Sequence, residues 1–218
     1  GAPITLDTLN EWMEEEKIGT ISPQIRDSLT GSGKEGLGSM TVYGTTPGYY
    51  DIQGLQLSMG RWLKSSDIQN NSYVCVINKT AAEELVGYVH CVGEAISINS
   101  VPFTIAGVLS DDEDSLTTVF TAGTLVAYIP YTSLIRLSTT AQSKVTSFYV
   151  SAADGYTVED AEDAITDILM ARFEEDEDAF SVSSQNVLEE AMSSITSALT
   201  ILLGGIAAIS LIVGGIGI

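Results

Sequence analysis

Residues 73–109 read YVCVINKTAAEELVGYVHCVGEAISINSVPFTIAGVL. Tyr73–Asn78 is a short apolar run rich in β-branched residues, which predicts a strand. Thr80 followed by Glu83 forms a capping-box pattern and opens a helix that Gly87 ends. Ala95–Asn99 and Phe103–Leu109 alternate or run apolar. They are joined through Asn99-Ser100-Val101-Pro102, which predicts a hairpin. Strand, short helix and hairpin within 37 residues place the chain in the α+β class.

Upstream, Thr5 can cap a helix over Leu6–Glu16, with Asp7 in the favoured first turn. Leu6, Leu9 and Met13 recur at helical spacing as its core face, and Trp12 flanks them. Ile18–Arg26 is extended, and Pro23 confines it to an edge or a bend. Glycines at 31, 33, 36 and 38 mark a turn region. Its GSGKEG text lacks the GK[ST] ending and a preceding apolar strand, so it is not a phosphate loop. Ser39–Gly44 returns as a strand.

Downstream, Asp111, Asp112, Glu113 and Asp114 form an acidic loop without the spacing of an EF-hand. Thr124–Tyr131 reads as a strand, and Thr132 caps a short helix to Leu137. Val145–Ser151 is another strand. Thr157 with Asp160 caps a helix whose Val158, Ala161, Ile165, Ile168, Leu169 and Phe173 share one face. Glu174–Asp178 is a like-charge loop, and Phe180–Val182 is a last strand.

The end of the chain has a different composition. Residues 195–218 read ITSALTILLGGIAAISLIVGGIGI, with no charged side chain. As a helix this run would extend about 36 Å, enough to cross a hydrocarbon core of roughly 30 Å. Gly204, Gly205, Gly214, Gly215 and Gly217 would each cost a soluble helix about 1 kcal/mol against Ala, whereas glycine is common where membrane helices approach closely. Gly204 and Ala208 give the small-xxx-small spacing. A transmembrane helix over 191–218 is therefore expected, with Ser193, Ile195, Gly204, Gly205, Ala208, Gly214 and Gly215 as its lever and packing positions. The nearest basic residue upstream is Arg172, so the folded part is expected outside the cytoplasm.

Nine Lys+Arg against 29 Asp+Glu give a formal charge of −20. Phosphate contacts need clustered cations, which excludes a nucleic-acid partner. The charge suits solubility through self-repulsion, and it leaves a cationic peptide as a conceivable ligand. Cys75 and Cys91 are the candidate disulfide pair for an oxidising compartment, and simple buried thiols are the alternative. The single histidine, His90, has no nucleophile or metal-ligand spacing around it. No catalytic residue, cofactor site or metal site is assigned, and an enzyme is not expected.

One block carries a family resemblance. Tyr49 and Tyr50, Gly60 and Arg61, Trp62, Asp67, the apolar strand Val74–Asn78, Gly87, Gly93 and the hairpin Ala95–Val108 follow one another in the order and spacing of a known domain. They resemble the extracytoplasmic domain of MacB-type ABC transporter permeases, within the wider FtsX-like group, from Leu6 to the end. The sequence departs from that pattern at Tyr88–Val92, where Cys91 replaces a short Asn/Asp-Pro turn. The resemblance implies two lobes. Residues 4–45 and 144–190 would form a first, porter-like lobe of helices on a mixed sheet, and 46–143 an inserted, mostly antiparallel β lobe. The apolar helix would follow as the family's second membrane helix, with further membrane helices on both sides of the chain. It also implies a non-catalytic relay at the cell membrane. Its partners would be a cytoplasmic ABC ATPase, separate or fused, that binds the ATP, a second permease copy, an extracytoplasmic adaptor and membrane lipid. The alternative function is an extracellular sensor for a cationic peptide.

Overall fold

The computed structural model describes residues 4–111, 121–138, 147–174, 176–184, 194–195 and 197–203. Residues 1–176 form one compact unit and 177–218 a second.

In the first unit, a seven-stranded sheet has the order β4-β7-β5-β8-β3-β2-β6, and a two-stranded sheet pairs β1 with β9. The strands are β1 (Ile18–Pro23), β2 (Ile25–Ser32), β3 (Leu37–Thr45), β4 (Leu57–Gly60), β5 (Val74–Ile77), β6 (Ala95–Ile98), β7 (Val101–Leu109), β8 (Leu125–Pro130) and β9 (Phe148–Ala152). In the large sheet β3–β8 and β5–β7 are parallel and the other pairs antiparallel. The β6 strand pairs with β7 as well as β2, so six of the strands close into a ring with β4 appended to β7.

The period-2 alternation of the sequence sorts the core. Met40 and Val42 on β3, Cys75 and Ile77 on β5, and Leu125, Ala127 and Ile129 on β8 enter one cluster. Val76, Val126 and Tyr128, from the opposite faces of β5 and β8, enter a second. All six residues of β8 are buried, which explains why it reads as a continuous apolar run. The first cluster is completed by Ala81, Ala82, Leu85 and Val86 from the segment after β5.

That segment starts two residues earlier than the sequence suggests. Asn78, not Thr80, is the cap: its Oδ1 accepts from the Ala81 N–H at 3.0 Å. The same amide oxygen accepts from Val126 N–H, and Nδ2 donates to the Thr124 carbonyl at 2.8 Å. An amide side chain accepts through its oxygen and donates through its nitrogen, so Asn78 caps the helix and ties it to β8. The helix α4 (Lys79–Ala81) runs into a π-helical turn, Ala82–Val86, that ends at Gly87 in the left-handed region.

The expected partition at 45/46 and 143/144 is not the one the strands follow. Strands β2 and β3, expected in the first lobe, belong to the large sheet, and the chain changes sheet at Gln24. Pro23 ends β1 because it has no N–H to continue a ladder. Residue 24 then donates its N–H to the Ser147 carbonyl at 2.9 Å. The small sheet is antiparallel rather than mixed among the described residues. Helices α1 (Leu6–Trp12) and α6 (Val158–Arg172) accompany it. Thr5 and Thr157 cap them as their spacing predicts. Helix α1 stops at Trp12 instead of Glu16, since three glutamates in a row would crowd the negative end of the helix dipole. On α6, Ala161, Ile165 and Leu169 are buried, but Val158 is exposed. The short helices α2 (Tyr49–Ile52) and α3 (Ser65–Gln69) connect strands of the large sheet, and α5 (Tyr131–Leu137) follows β8 on the way to β9 of the small one.

In the second unit, Phe180–Val182 is not a strand; a 3-10 turn, Glu177–Ala179, precedes it. Residues 194–195 and 197–203 are helical, and Ile195, Leu199, Ile201, Leu202 and Leu203 are exposed. No helix among the described residues is long and apolar enough to cross a membrane. Ser193, Gly204, Gly205, Ala208, Gly214 and Gly215 lie outside the described residues.

Candidate functional site

The stretch Pro47–Asp67 builds a joint between the two sheets. A single turn, α2, places two tyrosines side by side. Tyr49 is buried and points its ring at Tyr128 of β8 (5.6 Å between centroids), at Tyr149 of β9 (5.5 Å, edge-on) and at Trp62 (6.4 Å, stacked). Tyr43 stacks on Tyr128 at 5.2 Å, and Trp62 meets Tyr50 and Tyr128 at 5.4 Å each. Such offset and edge-on pairs each contribute about 0.5–1.5 kcal/mol beyond area burial. Because Tyr149 comes from the small sheet and Tyr128 from the large one, the stack spans both.

Three ring-bearing side chains of the joint have polar partners. Gln24 Nε2 donates to Tyr49 Oη at 2.8 Å, Leu57 N–H to Tyr50 Oη at 3.0 Å and Trp62 Nε1 to the Pro47 carbonyl at 3.1 Å. Beside them, Ser22 Oγ bonds the Thr45 and Thr46 hydroxyls, and Thr45 Oγ1 donates to the Pro23 carbonyl at 2.7 Å. Burial pushes the Tyr49 and Tyr128 phenols well above their ordinary values, so both stay neutral.

The Gly-Arg-aromatic text sets this joint. Gly60 lies opposite Gly107 in the β4–β7 pair, with φ +76. A Cβ there would come within 2.2 Å of the Ala106 carbonyl oxygen, so the position takes only glycine. Arg61 donates from Nη1 to Asp67 Oδ2 at 2.7 Å and from Nη2 to Oδ1 at 3.3 Å, and Nη1 also reaches the Trp62 carbonyl. Asp67 accepts the Lys64 N–H at 2.8 Å and so caps α3. This two-point pair orients the backbone that carries Trp62.

Burial alone would raise the Asp67 carboxyl. The Arg61 guanidinium and the Lys64 amide outweigh it and hold the group below the usual carboxylate range. Its contribution to stability is therefore complete above the unfolded value of about 3.9 and is lost as pH falls through the lower folded value. Asp67→Asn is expected to cost about 1–2 kcal/mol at pH 7. The two thermal unfolding curves should converge once the pH has fallen through the folded value, and a gap that persists when the carboxyl is protonated would contradict the pairing.

The departure at Tyr88–Val92 forms a loop at one end of the ring. Lys34 Nζ donates to Tyr88 Oη at 2.6 Å and to Glu94 Oε1 at 3.1 Å. The same nitrogen lies 4.3 Å from the Tyr88 ring centre, so it sits off the phenol oxygen and the contact is a hydrogen bond rather than a cation–π one. Cys91 is fully buried beneath the loop. Cys75 and Cys91 are both free thiols in the same cluster. Burial raises both thiols, most strongly Cys75.

Of the residues singled out beforehand, the aromatic–Gly-Arg block converges on one place, although its role as a joint was not legible. Gln24 and Tyr149 were missed, since nothing in their local sequence says they meet. His90 is exposed on the loop. Asp111 pairs with Lys79 at 3.4 Å, and Asp112, Glu113 and Asp114 lie outside the described residues. Among the described residues no three metal-ligating side chains gather. A groove lined by Glu15, Lys17, Ala164, Asp167, Ile168 and Ala171 carries a lysine among its carboxylates.

A model of the MacB-like periplasmic core domain matches residues 1–168. The macrolide export ATP-binding/permease protein MacB of Aggregatibacter actinomycetemcomitans is 26% identical over 216 residues, which cover 99% of this chain and 33% of that protein. MacB of Acinetobacter baylyi is 29% identical over 202 residues, covering 92% and 30%. The chain thus spans about a third of the length of the curated relatives it matches. In fold it is similar to the periplasmic region of MacB from Actinobacillus actinomycetemcomitans, with TM-score 0.71, 21% identity and coverage of 88% of this chain and 84% of that one. It is also similar to the extracellular domain of the noncanonic ABC-type transporter YknZ from Gram-positive bacteria, with TM-score 0.63, 18% identity and coverage of 78% and 84%. The chain belongs to the family of MacB-like periplasmic core domains.

Proposed function

We propose that this chain is the extracytoplasmic domain of an ABC transporter permease at the cell membrane, and that it relays ATPase-driven movement to the export or release of a substrate without performing chemistry itself. The observation that carries this reading is the family match over residues 1–168. The aromatic joint supports the relay. Two sheets that share one buried stack move together, because a packed core transmits displacement with little compliance. The partners in this reading are a cytoplasmic ABC ATPase, a second permease copy, an extracytoplasmic adaptor and lipid. The relatives' name makes a macrolide the first substrate to assay.

In this scheme the lever is the helix expected over 191–218, and a proline at Ser193 would break it. In the whole permease, Ser193→Pro is expected to leave ATP hydrolysis within about two-fold of wild type and to cut macrolide export at least about ten-fold. Full export by this variant would overturn the relay.

A further inference from the structure

The ring of strands has one weak seam. Strand β3 is joined to β2 from Ile25–Gly44 to Ser32–Leu37, and to β8 from Met40–Leu125 to Thr45–Pro130. Between β2 and β6 only Gly31–Ile98 and Ser32–Ser97 are opposed, continued by the Asn99 N–H to the Thr30 carbonyl at 2.9 Å. The β5–β8 pairing is equally short, at Val76–Tyr128 and Ile77–Ala127. Those four residues are all buried, however, and Asn78 brackets the pair. At the β2–β6 seam, glycine and two serines leave Ile98 as the one large apolar side chain.

Beyond the seam, the turn joining β2 to β3 rests on the π-helical turn. Glu35 N–H donates to the Leu85 carbonyl at 3.0 Å. The approach is close: a Cβ on Gly33 would lie 2.2 Å from that same oxygen. The other hold is Lys34, reaching Tyr88 Oη and Glu94 Oε1 across the gap. This pair is solvated, with side chains 50% and 35% exposed, so it holds weakly and is sensitive to salt.

We propose that the tip of the β2–β3 hairpin is a clasp that opens at the β2–β6 seam, with Lys34 as its catch. Opening exposes Leu85 and Ile98, two residues at 0–1% exposure when the clasp is shut, and leaves β3–β8 intact. The reasoning is that of local opening: a segment with few buried apolar contacts and solvent-facing hydrogen bonds separates at less free energy than the whole fold.

Hydrogen exchange on the full chain tests the clasp. Peptides covering residues 28–38 and 94–101 are expected to exchange at least about ten-fold faster than those covering 40–45 and 125–130. Lys34→Met, or 0.5 M salt, should speed the first group a further two- to five-fold or so and leave the second unchanged. Oxidised Ser32→Cys/Ser97→Cys, which bridges opposed residues, should slow the first group to the rate of the second. Equal exchange in both groups, or a first group indifferent to Lys34→Met and to the bridge, would overturn the proposal.

Discussion

Trp62→Ala is expected to lower the stability of this domain by about 3–5 kcal/mol and its thermal midpoint by on the order of 10 °C. The indole is 9% exposed, packs on Tyr49, Tyr50 and Tyr128, and donates to the Pro47 carbonyl. Truncation would remove the centre of the joint and one of the hydrogen bonds to the Pro47 carbonyl, and these costs add to the cavity left behind. Differential scanning calorimetry gives the midpoint. Trp62→Phe separates the two contributions, since it keeps most of the packing and loses only the hydrogen bond. A Trp62→Ala domain within about 1 kcal/mol of wild type would mean that the two sheets do not depend on this stack.

Gly60→Ala should be comparably severe for a different reason. An L-residue held in the left-handed region costs about 1–2 kcal/mol. The added methyl would also press on the Ala106 carbonyl at 2.2 Å and on Gly107 Cα at 2.8 Å, both backbone atoms with little room to move. Together these predict a loss of about 3–5 kcal/mol. Chemical denaturation is the suitable measurement, with the midpoint falling and the slope unchanged. Because Arg61 and Trp62 follow directly, the strain should also loosen the pair between Arg61 and Asp67. An unaffected midpoint would show that β4 does not lie against β7 as described.

The elements that the sequence made legible are those whose signal is local. Thr157 with Asp160 is a capping box written in four residues, and it caps α6. Tyr73–Asn78 and Ala95–Leu109 read as strands because apolar β-branched residues cluster there, and they are strands β5, β6 and β7. The alternation of β3 foretold a strand but not its sheet. Parallel pairing with β8 depends on Leu125–Pro130, some 85 positions away, and no turn signal links them. The same reason hid the joint. Tyr49 was conspicuous, but its hydrogen-bond donor Gln24 and its edge-on partner Tyr149 are brought to it by two separate crossings between the sheets. Asn78 defeated the capping-box rule because Thr80 and Glu83 matched the pattern locally, while Asn78 had a second bond to Val126 that local reading could not see.

The small sheet closes the longest loop among the described pairings. Ile18 on β1 is opposite Ala152 on β9, and all the strands of the large sheet lie between β1 and β9 in the chain. A chain emerging N-terminus first must therefore hold Ile18–Pro23 as a lone ribbon until its partner arrives, more than a hundred residues later. During that wait the ribbon's unsatisfied amides are available to any passing strand, including one from a neighbouring nascent molecule. Biogenesis of this domain thus depends on the order of synthesis as well as on its final contacts: the ring can mature early, but the small sheet must be the last part to set.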